Sequence, residues 1–171
     1  DGSFGPVTTA GGFVEPTLPA GYAPFGIQQI GGKIYVTYAQ VDTASGRSAA
    51  GAGLGLVDVF DLQGNLTQHL VPAGGALDAP WGVALAPANF GKFSNMLLVG
   101  NFGDGRINAY DPATGALQGT LSTNDGAAIV TPGLWALQFG NGLNAQPANT
   151  LFYTAGPGGE AHGLYGRIDM N

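Results

Sequence analysis

Few side chains in this sequence are equipped for chemistry. His162 follows Glu160 by two residues in a Gly-rich stretch, and an imidazole near a carboxylate is a minimal acid–base pair. Asn101 and Asp104 offer hard oxygen donors that, together with Glu160, suit a divalent cation such as calcium. These three are spread over two segments without tight ligand spacing, so they also read as residues satisfying loop backbone. Phe25, Trp81 and Trp135, with Tyr38, present flat apolar area on which a sugar or an aromatic compound could stack. The competing reading packs those aromatics between layers of the fold. His69, in Leu66-Thr67-Gln68-His69-Leu70-Val71, reads as a surface residue of an outer strand. There is no nucleophile elbow, no His-Glu-x-x-His, no P-loop and no EF-hand loop. Zero cysteine excludes thiol nucleophiles, disulfides and Cys-ligated zinc.

Composition narrows the frame that must hold these residues. Charged residues are 9% of the 171, the net charge is −6, and only five residues are basic. That leaves no electrostatic footprint for phosphates, and nucleic acid is excluded as a partner. No apolar run approaches the roughly 18–20 residues of a membrane helix. Gly (31) and Pro (11) argue against helices, while 44% apolar content is enough to bury a core. Low Lys with abundant Gly, Ala, Thr and Asn fits an exported protein. A chain opening at Asp1 predicts either a removed leader or a longer polypeptide.

The frame is a repeat. Ala23-Pro24-Phe25-Gly26-Ile27 and Ala79-Pro80-Trp81-Gly82-Val83 match, and Thr131-Pro132-Gly133-Leu134-Trp135 is a looser third copy. Each is followed by strand-like runs, the last of a pair ending in Asp: Val57-Asp58-Val59-Phe60-Asp61, Ile107-Asn108-Ala109-Tyr110-Asp111, and Gly166-Arg167-Ile168-Asp169. Turn chemistry such as Gly31-Gly32 and Asp111-Pro112-Ala113-Thr114-Gly115 fits hairpins. In the second unit the strands fall near 81–86, 95–100, 105–110 and 116–121. Four antiparallel strands per roughly 50-residue unit describe a β-propeller blade. The expectation is all-β: an outer strand over 1–14 for a blade completed elsewhere, a full blade over 15–76, a second over 77–127, and a third over 128–171 lacking its outer strand. Three blades are half of a six-bladed ring. A second copy of the chain, or a missing N-terminal half, would close it.

Pro80-Trp81-Gly82-Val83-Ala84-Leu85, Asn101-Phe102-Gly103-Asp104-Gly105-Arg106 and Asp111-Pro112-Ala113-Thr114-Gly115 resemble a bacterial family of exported six-bladed propellers related to the NHL and lactonase-like propellers. The resemblance runs along the chain and implies fold and a secreted or cell-surface, bacterial location. It implies no activity. On the propeller frame, Tyr22, Phe25, Asp78, Trp81 and Trp135 share one rim with Tyr38, Gln40, Asp42, Asn101, Asp104, Glu160 and His162. Two functions follow. One is an extracellular, non-enzymatic binding or scaffold module with no cofactor and a small-molecule or carbohydrate ligand. The other is a metal-dependent, lactonase-like hydrolase using Asn101, Asp104 and Glu160 in a central channel.

Overall fold

A computed structural model of the protein describes residues 5–170. It is all-β, with three antiparallel sheets and one short 3-10 turn at Gly91–Phe93. The first sheet runs β1 (Tyr22–Ile30), β2 (Lys33–Gln40), β3 (Gly55–Phe60) and β4 (Leu66–Val71) in chain order. The second runs β5 (Pro80–Leu85), β6 (Leu97–Asn101), β7 (Ile107–Tyr110) and β8 (Leu117–Thr120). The third has three strands, β9 (Leu134–Phe139), β10 (Leu151–Ala155) and β11 (Leu164–Ile168). No helix among the described residues is long and apolar enough to cross a membrane.

Local chemistry sets the hairpins. Gly31 and Gly32 both take positive φ (56° and 79°), the geometry a two-residue turn needs to pair Ile30 with Lys33. The Asp that follows β3 or β7 caps the turn there. Asp61 Oδ1 accepts from the Gln63 and Asn65 amides, both at 2.9 Å. Asp111 Oδ1 accepts from Ala113 and Thr114 at 2.9 and 2.8 Å. In these two copies the Asp makes an Asx turn, a structural rather than a chemical signature, whereas Asp169 of the third copy accepts from the Thr150 hydroxyl at 2.6 Å.

The sheets stack face to face, and their first strands adjoin in the order β1, β5, β9. One apolar layer joins sheets one and two through Val57, Val59 and Leu70 against Val83, Leu97 and Val99. Another joins sheets two and three through Leu98, Ile107 and Ala109 against Leu134, Leu137 and Leu151. With both faces covered, β3, β6 and β7 are buried at every residue, which is why their sequences do not alternate.

The repeat signature marks the joints between sheets. A Cβ on Gly26 would stand 2.3 Å from the Trp81 carbonyl oxygen, and one on Gly82 would stand 2.5 Å from that of Trp135. Only glycine lets the first strands of adjoining sheets come that close. The buried Thr37 hydroxyl reaches both the Gly26 and Trp81 carbonyls, at 3.4 and 3.5 Å.

The N-terminal segment differs from expectation. Residues 1–4 of the anticipated 1–14 strand lie outside the described residues, and residues 5–14 form no strand. Instead the Gly11 and Phe13 amides donate to the Gln63 and Gly64 carbonyls at 2.9 and 3.0 Å, and the Phe13 ring lies 5.6 Å from Phe60. Gly11 presses so closely on the β3–β4 turn that a Cβ would meet Gly64 backbone at 2.2 Å. The segment from Gly11 to Phe13 is spent on its own first sheet.

Candidate functional site

The adjoining first strands β1, β5 and β9 carry the signature aromatics to one place. Phe25 on β1 and Trp81 on β5 have ring centroids 4.8 Å apart, and Trp135 on β9 follows 6.4 Å beyond Trp81. Phe102, one residue after β6, completes the group at 6.0 Å from Phe25 and 6.2 Å from Trp81. All four side chains are half-buried, so they pack on one another and still offer surface.

Phe25, Trp81 and Phe102 form the apolar wall of a groove of about 600 Å³. Its polar side comes from Ser45, Arg47 and Ser48 in the β2–β3 loop and Glu160 in the β10–β11 loop. The first loop is built by Asp42, whose Oδ1 accepts from the Ala44 amide (3.1 Å) and from the Ser45 amide (2.7 Å) and hydroxyl (2.8 Å). The Ser45 side-chain bond, and the backbone bonds after it, hold the Asp42 carboxyl below the usual range. Arg47 pairs with Glu160 Oε2 across the groove, and the Trp135 indole N–H donates to Glu160 Oε1 at 3.2 Å. Glu160 is held at φ 69°, a left-handed conformation that costs a non-glycine residue roughly 1–2 kcal/mol. Strain of that kind persists where surrounding contacts over-determine it.

Other expected site residues fall elsewhere. Tyr38 is 3% exposed and packs with Val36, Leu56 and Phe60 rather than on the groove. Burial first, then the charges of Asp58 and Glu15, pushes its hydroxyl up to about 12. The Asn101 amide donates to the Ala76 carbonyl and to Asp104 Oδ1, both at 3.0 Å. Asp104 also accepts from the Arg106 amide at 3.0 Å, so the two residues close the β6–β7 loop. Glu160 is engaged separately with Arg47 and Trp135, so no shared bond links the three residues expected to ligate a cation. His162 is exposed, and no hydrogen bond joins it to Glu160 among the described residues. Asp78 is buried, accepts from the Gly51 amide at 2.7 Å, and has its carboxyl raised by that burial and by Asp104.

Arg47 and Phe102 were not singled out as site residues in the sequence. Arg47 lies in a loop with no motif, and Phe102 belongs to a segment that reads as turn. The one available signal was scarcity, since Arg47 is among only five basic residues.

No protein-family model matches the sequence. The chain is 33% identical over 158 residues to an uncharacterised protein of Acanthamoeba polyphaga mimivirus, covering 92% of this chain and 38% of that protein. A second uncharacterised protein of the same virus is 35% identical over 121 residues, covering 70% of this chain and 32% of its own length. A third is 32% identical over 95 residues, covering 55% and 18%. The chain thus spans less than two fifths of each curated relative. These relatives correct the expectation of a bacterial, exported, NHL-related family and of a secreted or cell-surface bacterial location, because they are viral proteins. The composition behind that expectation has a structural cause: among the described residues seventeen glycines sit at positive φ, most of them in turns.

Proposed function

We propose that the three sheets are consecutive blades of a β-propeller, half of a six-bladed ring, and that the groove is a non-catalytic carbohydrate-binding site. The blade reading is supported by the strand order repeated in each sheet and by first strands that adjoin in sequence. One observation carries the binding reading: an aromatic wall of Phe25, Trp81 and Phe102 faces Arg47, Ser45, Ser48 and Glu160 across about 600 Å³. A pyranose has flat C–H faces and a belt of hydroxyls, so it needs apolar area on one side and convergent donors and acceptors on the other. Both Glu160 oxygens are already engaged, which suits holding a ligand better than moving a proton.

The test is saturation-transfer NMR against a panel of mono- and oligosaccharides, followed by titration of tryptophan fluorescence. Arg47 is exposed, so Arg47→Ala keeps the fold. Loss of a charge-assisted bond worth about 1.5 kcal/mol weakens binding roughly tenfold. Binding by no sugar at millimolar concentration, or equal affinity in Arg47→Ala and Trp81→Ala, refutes the proposal.

A further inference from the structure

A second cluster lies on the outer side of the first sheet, away from the aromatic groove. Asp58 on β3 and His69 on β4 are direct cross-strand partners, so their side chains share one face. Glu15, in the segment leading to β1, comes down on the same spot. His69 Nδ1 stands 3.0 Å from Asp58 Oδ1 and 3.5 Å from Glu15 Oε1. One ligand atom from each of the three residues lies within 4.8 Å of the others.

Two features make this more than a group of acids. First, both carboxylate side chains are buried, Glu15 at 4% exposure and Asp58 at 2%, while His69 is half open at 53%. Glu15 Oε2 and Asp58 Oδ2 have no hydrogen-bond partner, and both residues line a cavity of about 160 Å³ together with His69. Two buried carboxylates with free oxygens are costly unless positive charge or a proton lies beside them, and a bound cation would supply that charge. Second, the imidazole is oriented to offer a lone pair. The Thr17 hydroxyl donates to Glu15 Oε1 at 2.7 Å, so toward His69 Nε2, 3.4 Å away, it can only accept. Nδ1 therefore faces the two carboxylates, and with a proton on Nε2 toward Thr17 its lone pair is the one left for a ligand. A ligating histidine is commonly fixed by such a partner on its other nitrogen.

We propose that Glu15, Asp58 and His69 form a binding site for a divalent transition-metal cation of the zinc class, which staples the segment before β1 to strands β3 and β4. Donors at about 2.0–2.2 Å from a tetrahedral zinc lie about 3.3–3.6 Å apart; the Glu15 contact at 3.5 Å falls in that range, and the Asp58 contact at 3.0 Å would have to open by about 0.3 Å. One imidazole nitrogen with two carboxylates selects zinc or a neighbouring transition ion over calcium, which takes six to eight oxygens. The fourth position opens into the cavity and holds water.

The chain has only two histidines, which makes the test clean. The full chain is stripped with a chelator and titrated with zinc and, separately, with calcium by calorimetry, while melting temperature is followed. The expected result is one zinc per chain, and a melting temperature raised by roughly 5–10 °C at a hundredfold excess over Kd. His69→Gln and Asp58→Asn each weaken zinc at least roughly tenfold, and His162→Gln leaves it unchanged. Because His69 is half exposed, His69→Gln remains folded and carries the test if Asp58→Asn does not. No zinc binding below about 1 mM, affinity untouched by His69→Gln, or calcium bound as tightly as zinc overturns the proposal. The imidazole would then serve only as the protonated partner of the two acids.

Discussion

Gly26→Ala isolates the joint between the first two sheets. The residue does not lie at positive φ, so the added methyl brings no backbone strain, only crowding. Its Cβ would stand 2.3 Å from the Trp81 carbonyl oxygen and 2.8 Å from Thr37 Oγ1. An ordinary contact needs at least about 3.4 Å, so β1 and β5 must separate by about 1 Å. That loosens the Thr37 hydroxyl bonds and the adjoining Phe25–Trp81 contact. Overpacking of this kind costs about 1–3 kcal/mol. For a chain of this size the melting temperature should fall by roughly 2–10 °C. Gly75→Ala is the control, because its Cβ meets nothing within 4 Å and its φ is not positive. It should be neutral, or stabilising by up to about 1 kcal/mol through the unfolded chain. Urea denaturation with near-UV circular dichroism reads both effects. If Gly26→Ala matches Gly75→Ala in midpoint and keeps the aromatic spectrum, β1 and β5 do not meet as described.

Acidity should act in two directions. Asp61 and Asp111 have carboxyls held below the usual range, chiefly by the Asn65 side chain in one and the Thr114 amide in the other. Their contribution is present above the unfolded value near pH 4 and is lost as pH falls through the folded values, so Asp111→Asn should flatten the acid limb of thermal melts. Asp78 works oppositely, since burial raises its carboxyl and its protonated form is favoured in the fold. Asp78→Asn should therefore leave stability at pH 7 equal or higher in the same melts, and a clear loss would refute the assignment. Leu97→Ala, at a fully buried position between sheets one and two, should cost about 2–5 kcal/mol in urea titrations. If two copies close the six-bladed ring, light scattering should give twice the 17.2 kDa chain mass, and a monodisperse monomer refutes closure by self-association.

What was legible in the sequence follows from which forces are local. Hairpin turns announced themselves because Gly31-Gly32 and the Asp61 and Asp111 turns are settled within five residues. The Pro-aromatic-Gly repeat was legible for a different reason, since its first two copies solve the same crowding problem where one sheet meets the next. The segment at 11–13 was misread because nothing in Gly11-Gly12-Phe13 encodes its partner, the Gln63-Gly64 turn some fifty residues on. The aromatic wall was half legible. Phe25, Trp81 and Trp135 stood in the repeat, whereas Arg47 reaches Glu160 only because two loops from different sheets converge. The Glu15–Asp58–His69 cluster was illegible for the same reason: eleven residues separate Asp58 from His69, which strand register joins, and forty-three separate Glu15 from Asp58, which only the path of the segment before β1 brings together.

The looser third copy of the signature is itself informative. Gly26 and Gly82 follow Phe25 and Trp81, and each lies under the backbone of the next sheet's first strand. After Trp135 the corresponding residue is Ala136, which is exposed, and β9 is the last of the adjoining first strands among the described residues. Glycine is required only where a neighbouring backbone crowds the position, and Ala136 is open to solvent. Any strand that docked on β9 would have to leave room for a methyl group that β5 and β9 do not tolerate at Gly26 and Gly82. Ala136→Gly gives that statement a measurable form: it should change the stability of the isolated chain by no more than the roughly 0.5–1 kcal/mol of strand glycine entropy. A larger loss would mean that the Ala136 methyl already packs against part of this chain, and that the third joint is built like the first two.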